Sequence, residues 1–273
     1  MEPRARSVFQ KIDHSRTADD IVAHVEGLIL DGILRDGDRL PGERELAATL
    51  DVSRPILRDA LKALEARGLV VARHGGGTYV ADIVGQVFSD PVAALIARHP
   101  RATRDYLDYR REMEGLTAAL AAERATEADR RLLTSVLADM RAAHESGRFD
   151  DELAADIELH NVIGEAAHNI VLMHTMRACY RLLADGIFFS RREVFAAPGA
   201  RAALLDQHVA IVEAILAGDA AGARQAAEAH IDYVIDATLR AERSGGRSRI
   251  ADLRLLQRER RAPTRSKPAG PSA

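Results

Sequence analysis

The chain has no tryptophan, a single cysteine and few aromatic residues of any kind, 4% in all. With so little aromatic mass, the core must be built from Leu, Ile, Val and Ala, and a chain rich in Ala, Leu, Glu and Arg favours helix over sheet. One thiol excludes an internal disulfide, and Cys179, in an apolar-rich run, reads as a small buried hydrophobe. Long apolar runs are missing as well. No stretch approaches the roughly 18 apolar residues of a membrane span, and the N-terminus lacks a signal-peptide core. A cytoplasmic protein with no membrane partner is expected. A strong net charge is also lacking: the formal value is −3 over 273 residues. Any nucleic-acid role must therefore rest on local arrangement rather than on bulk charge.

What is there fits a soluble globular protein, 47% hydrophobic and 29% charged, long enough for one large domain or two ordinary ones. In "DDIVAHVEGLILDGIL", residues 19–34, Ile21, Val25, Leu28 and Ile29 recur at helical spacing. "RDGDRLPGERELAATL" is a turn and a second helix, with Pro41 near its first turn and Leu46, Ala47 and Leu50 on its apolar face. A third helix, "RPILRDALKALEARGLV", follows Ser53 as N-cap, and Gly68 ends it. "LVVARHGGGTYVAD" is a hairpin about a glycine turn. Three helices and a hairpin over residues 18–82 make a winged helix-turn-helix. Arg54 and Arg58 share the non-apolar face of its third helix, the face such a domain turns to a DNA major groove. Acidic residues outnumber basic ones over residues 17–80, so the acid is expected away from that face.

The ordered run "GDRLPGERELAATLDVSRPILRDALKALEARGLVVARHGGGTYV" resembles the DNA-binding domain of the GntR family of bacterial transcription regulators. It departs from the pattern at Gly42, where serine is usual. The resemblance implies operator contacts by Arg44, Ser53, Arg54 and Arg58, with His74 and Gly75 at the wing tip near the minor groove.

From Asp90 on, the pattern is helical throughout, without a strand or a glycine-rich phosphate loop; a bundle of six or seven helices is expected over 88–241. Pro100 breaks one helix, and Thr126 with Asp129 has capping-box spacing. The stretch "HVAIVEAILAGDAAGARQAAEAH" has a histidine at each end, His208 and His230. Gly218 and Asp219 stop one helix and start the next. In an antiparallel hairpin the two histidines then stand level, each about 15 Å from the turn. Upstream, Asp156 and His160 are four apart and share a helical face. One carboxylate and three imidazoles suit Zn²⁺, or Ni²⁺ or Mn²⁺, better than Mg²⁺ or Ca²⁺. Spacing alone leaves open a salt-bridged Asp–His pair and other arrangements that use His168 or His174.

Residues 88–241 also resemble the helical effector (FCD) domain of the FadR-type branch of the GntR family, through "DYRREMEGLTAALAAERAT", "DIELHNVIGEAAHN" and "HVAIVEAILAGDAAGARQAAEAHI". The resemblance implies a metal held by Asp156, His160, His208 and His230, and a cavity-facing Arg110 able to grip a carboxylate in a bidentate fork. The bland reading of Arg110 is a surface arginine paired with Glu114. Residues 1–17 are expected to form an N-terminal arm. The basic, Gly/Ser/Pro-flanked run 242–273 is expected to be a flexible tail, with room for a short helix at 250–260. Together these features imply a homodimeric, non-enzymatic regulator, a repressor by type, that binds double-stranded operator DNA under the control of a small carboxylate effector. A dimerisation module with a structural metal is the alternative. A metal-dependent hydrolase is the remote one, since neither an HExxH motif nor a convincing general base accompanies the ligands.

Overall fold

A computed structural model describes residues 17–83, 90–184, 194–195 and 197–261. The expected arm before Thr17 and the last part of the tail, 262–273, lie outside these residues. Among the described residues helices dominate, and the one sheet has two strands.

The head comprises α1 (Ala18–Leu30), α2 (Glu43–Leu50), α3 (Arg54–Ala66), β1 (Val70–Arg73) and β2 (Gly77–Val80). Thr17 starts α1 with a capping box, its hydroxyl accepting from the Asp20 amide while the Asp20 carboxylate reaches back to the Thr17 amide. That helix ends at Leu30, short of Leu34, because Gly32 takes a left-handed conformation (φ 73°). Ser53 caps α3 by position only; its side chain makes no cap hydrogen bond. The hairpin pairs Val70 with Val80 through Arg73 with Gly77. One core cluster joins Ile21, Val25, Leu46, Leu50, Leu57, Leu64 and Val80.

Seven helices follow among the described residues: α4 (Asp90–Arg98), α5 (Pro100–Arg124), α6 (Glu127–Ser146), α7 (Phe149–Ala166), α8 (Ile170–Ala184), α9 (Ala200–Ala217) and α10 (Ala220–Arg261). Pro100 separates α4 from α5, and the Thr126–Asp129 capping box opens α6, both as expected. Helix α10 packs along α5 and against α9, while α7 lies against α5, α6 and α8. A second, separate core of Leu133, Leu159, Ile163, Ile211, Ile215 and Ala223 holds α5, α6, α7, α9 and α10 together.

One expectation needs correction. The run from 242 is not a flexible tail up to Arg261 but the continuation of α10. The segment after Gly246 is rich in Leu, Arg, Glu and Gln, all strong helix formers, and the first proline is Pro263, beyond the helix end. Gly245 and Gly246 weaken the helix there by about 1 kcal/mol each without breaking it.

Candidate metal centre and DNA-reading surface

Helix α7 turns Asp156 and His160 to the interior, and the α9–α10 hairpin brings His208 and His230 to them. The turn forms as the sequence predicts: Gly218 is left-handed at the end of α9, and Asp219 Oδ1 accepts from the Gly222 amide at 2.9 Å. Ring centroids lie 4.4 Å apart for His208 and His230, 5.3 Å for His160 and His208, and 5.5 Å for His160 and His230. One nitrogen from each of the three rings lies within 4.8 Å of the others, and all three residues are buried. Asp156 reaches the cluster through His208, Oδ1 to Nε2 at 3.3 Å.

The outer hydrogen bonds set which nitrogen faces inward. His160 Nδ1 donates to Glu114 Oε2 at 2.8 Å, and His230 Nδ1 donates to Gln207 Oε1 at 3.0 Å. In His160 and His230 the outer partner takes Nδ1 and leaves Nε2 as the nitrogen for the cluster, the arrangement of a ligating histidine. His160 Nε2 is buried and has no hydrogen-bond partner among the described residues. Burial, reinforced by His208 and His160, holds His230 well below the usual imidazole range, so it is neutral. Three buried imidazoles with a carboxylate at their edge fit a divalent transition metal. His168 and His174 stand apart, bonded to Asp129 and to the Leu30 carbonyl.

Arg110, on α5, is 1% exposed and meets Glu114 Oε1 through Nε at 2.5 Å. Arg110 is paired with Glu114, but it is buried within the bundle and not on the surface. Burial alone would raise the Glu114 carboxyl. The Arg110 guanidinium and His160 outweigh it and keep the group ionised. The two remaining guanidinium nitrogens, Nη1 and Nη2, are buried without partners among the described residues, and the guanidinium lies 5.2 Å from the Tyr180 ring centroid. Tyr180 also stacks on His160 at 5.0 Å. Nη1 and Nη2 are thus left available to an acceptor, with Glu114 linking the same guanidinium to a metal-competent histidine.

Glu114, Gln207 and Tyr180 escape the sequence reading of this site. Glu114 carries a signal, one turn after Arg110 on the same face, whereas Gln207 and Tyr180 have none in spacing.

On the head, Arg44, Ser53, Arg54, Arg58, His74 and Gly75 are all exposed. His74 and Gly75 occupy the hairpin turn, with Gly75 left-handed at φ 71°. The acid is not wholly excluded from this face: Glu43, at the start of α2, lies 2.8 Å from Arg58 Nε and 3.9 Å from Arg54 Nη2. Its carboxylate gathers the two arginines and gains from the positive end of α2.

Residues 17–80 match the model for bacterial regulatory proteins of the gntR family, and residues 105–233 match the FCD domain. A protein of Escherichia coli (strain K12) named "Putative L-lactate dehydrogenase operon regulatory protein" is 37% identical over 80% of this chain and 85% of its own length. This chain belongs to the GntR family. Two more regulators resemble this GntR protein at 32% identity: the Glc operon transcriptional activator of the same E. coli strain (81% of this chain, 89% of that protein) and the HTH-type transcriptional regulator LutR of Bacillus subtilis (77% and 95%). The solved Streptococcus agalactiae GntR is 24% identical, covering 80% of this chain and 98% of that one, at a TM-score of 0.48. As a GntR regulator with an FCD domain, the chain is a DNA-binding transcription regulator and not an enzyme, and the hydrolase alternative is set aside.

Proposed function

We propose that this regulator, of the FadR-type branch, binds operator DNA as a homodimer through residues 18–82. Its affinity answers to a small hydroxy-carboxylate held in the helical domain, 88–241. The observation that carries the reading is the cluster of buried imidazoles beside an arginine whose Nη1 and Nη2 have no partner. Asp156, His160, His208 and His230 would hold the metal, with Zn²⁺ the first choice and Ni²⁺ or Mn²⁺ the others. When bound, the metal supplies a Lewis-acidic position for an effector oxygen. Glu114 fixes the His160 ring and the near edge of the Arg110 guanidinium, so the far edge stays aimed at a carboxylate. Tyr180 closes one wall. A lactate-like acid matches this donor set, and the relative named for a lactate dehydrogenase operon points to the same class.

Arg44, Ser53, Arg54 and Arg58, with His74 and Gly75 at the wing, would meet the operator. A two-fold dimer suits a pseudo-palindromic site. The effector acts by favouring one placement of the heads over another, and repression lifted by the acid is the reading adopted. The test joins metal analysis with operator binding. The purified protein should carry stoichiometric metal that a His208→Ala/His230→Ala variant lacks, and a 2-hydroxy acid should change operator affinity only when metal is present. Absence of metal even after incubation with Zn²⁺ would sink the site. Metal without any acid-dependent change in DNA binding would leave a structural metal in a dimerisation module.

A further inference from the structure

Between the head and the bundle lies a cleft of about 180 Å³, walled by Ile29 and Leu34 of the head and Ile157 of α7. It has room for roughly six water molecules at their liquid volume. Three of its lining side chains, Asn161 on α7 and His174 and Arg177 on α8, each keep a buried polar atom without a hydrogen-bond partner among the described residues: Oδ1, Nδ1 and Nε respectively. Buried polar atoms are normally satisfied, and three on one small cleft mark a place built to receive a partner.

Their chemistry is specific. His174 Nε2 donates to the Leu30 carbonyl at 3.1 Å, so Nδ1 bears the lone pair and accepts. Burial holds that imidazole below its ordinary range, which keeps it neutral. Asn161 Oδ1 accepts as well. Arg177 Nε–H donates, its Nη2 being engaged with Gly32 O and Glu165. The occupant must therefore supply at least two donors and one acceptor. A hydroxyl brings a single donor, whereas an ammonium brings three. The surrounding charges are mixed: Arg35 and Arg177 against Asp36 and Glu165, with Glu158 also on Arg35. This balance disfavours a bare anion and suits a zwitterion.

We propose that the cleft is a second small-molecule site, for a small α-amino acid. Its ammonium donates to His174 Nδ1 and Asn161 Oδ1, and its carboxylate accepts from Arg177 Nε–H. The polar partners all belong to the bundle and part of the apolar wall to the head, so an occupant fills the joint and favours the head in this placement. Operator affinity then changes to the extent that the DNA-bound placement differs. The site is independent of the metal reading. Tyr180 nonetheless walls the cleft and stacks on His160, so the two sites share a side chain.

The experiment uses the full chain and calorimetric titration with each common α-amino acid at millimolar concentration, with lactate and ethylamine as partners lacking the ammonium or the carboxylate. At least one small amino acid should bind saturably. It should do so equally in the His208→Ala/His230→Ala variant, and about tenfold or more weakly in Asn161→Ala and in Arg177→Lys, which keeps a cation beside Glu165. Hydrogen exchange on the unaltered protein gives a second readout that needs no variant: protection should appear at 29–34 and 170–177. Binding by no amino acid leaves ordered water as the occupant and overturns the proposal. Loss of binding in the double-histidine variant, unchanged binding in Asn161→Ala and Arg177→Lys, or protection confined to 204–232 also overturns it.

Discussion

Glu114 is the residue on which the candidate site turns. It touches a metal-competent histidine and an anion-competent arginine at once, from a position 5% exposed. Replacing it with alanine leaves a buried guanidinium uncompensated, a change that costs about 3–5 kcal/mol and is read as a lowered urea midpoint. Glu114→Gln keeps the shape but weakens the hold on His160. Metal affinity should fall about 10–100-fold by chelator competition while the helical circular dichroism is retained. Arg110→Lys separates the two roles. It preserves the charge beside Glu114 and loses the planar fork, so metal content should stay and response to the acid should vanish in an operator-binding titration. Spacing makes the four candidate ligands visible in the sequence, as an i, i+4 pair and a hairpin with matched arms, but leaves other histidine arrangements open, and only the family resemblance selects the set. Glu114 is not legible, because spacing gives the face of a helix and not its depth. An arginine and a glutamate four apart look alike on a wet surface and in a core. Gln207 and Tyr180 are illegible for a further reason: they reach the site through the tertiary packing of α9 and α8, which no local pattern encodes.

Among the elements, α7 joins the two halves of the molecule. Its interior face carries Asp156 and His160; its other side carries Glu158 and Glu165, which grip Arg35 of the head at 2.7 and 2.8 Å. These pairs are about a third exposed on the arginine side and add little stability. Their value is positional. Arg35→Ala should leave metal and effector affinity unchanged but shrink the effector-dependent change in operator affinity, measured by fluorescence anisotropy across an acid titration. An unaltered change would show that the joint carries no coupling. On α3, Arg58→Ala should weaken operator binding and lower the salt slope by about one unit, the signature of a lost phosphate contact. The order and type of the elements of the head are read from the sequence, since prolines and glycines punctuate them, while their ends shift: α1 stops at Leu30 and α2 begins after Pro41. The far end of α10 is misread because a basic composition with small residues looks like a tail, whereas only a proline would have stopped the helix, and none comes before Pro263.

At the scale of the whole molecule, the head and the bundle each have a core of their own, so heat or denaturant should separate them into two transitions. A metal bound only by the folded bundle stabilises that part by about 4 kcal/mol at a thousandfold excess over Kd. Scanning calorimetry with and without chelator should therefore move the bundle transition and leave the head transition in place. Movement of both by the same amount would mean that the joint at Arg35 makes the chain a single cooperative unit. The fold class follows from composition and periodicity. The placement of head on bundle does not, because Arg35 lies over a hundred positions from its partners and nothing local announces them.

From Ala155 to Ala166, every residue of α7 is at least partly buried. A segment with work on every side is a poor place for mutations to accumulate. A descendant that came to answer a different acid would have to alter α5 or α8, at Arg110 or Tyr180, before it could touch α7. Across descendants of this chain, α7 should drift least while the walls around it change, and taste for a new signal should evolve without relearning how to grip the head.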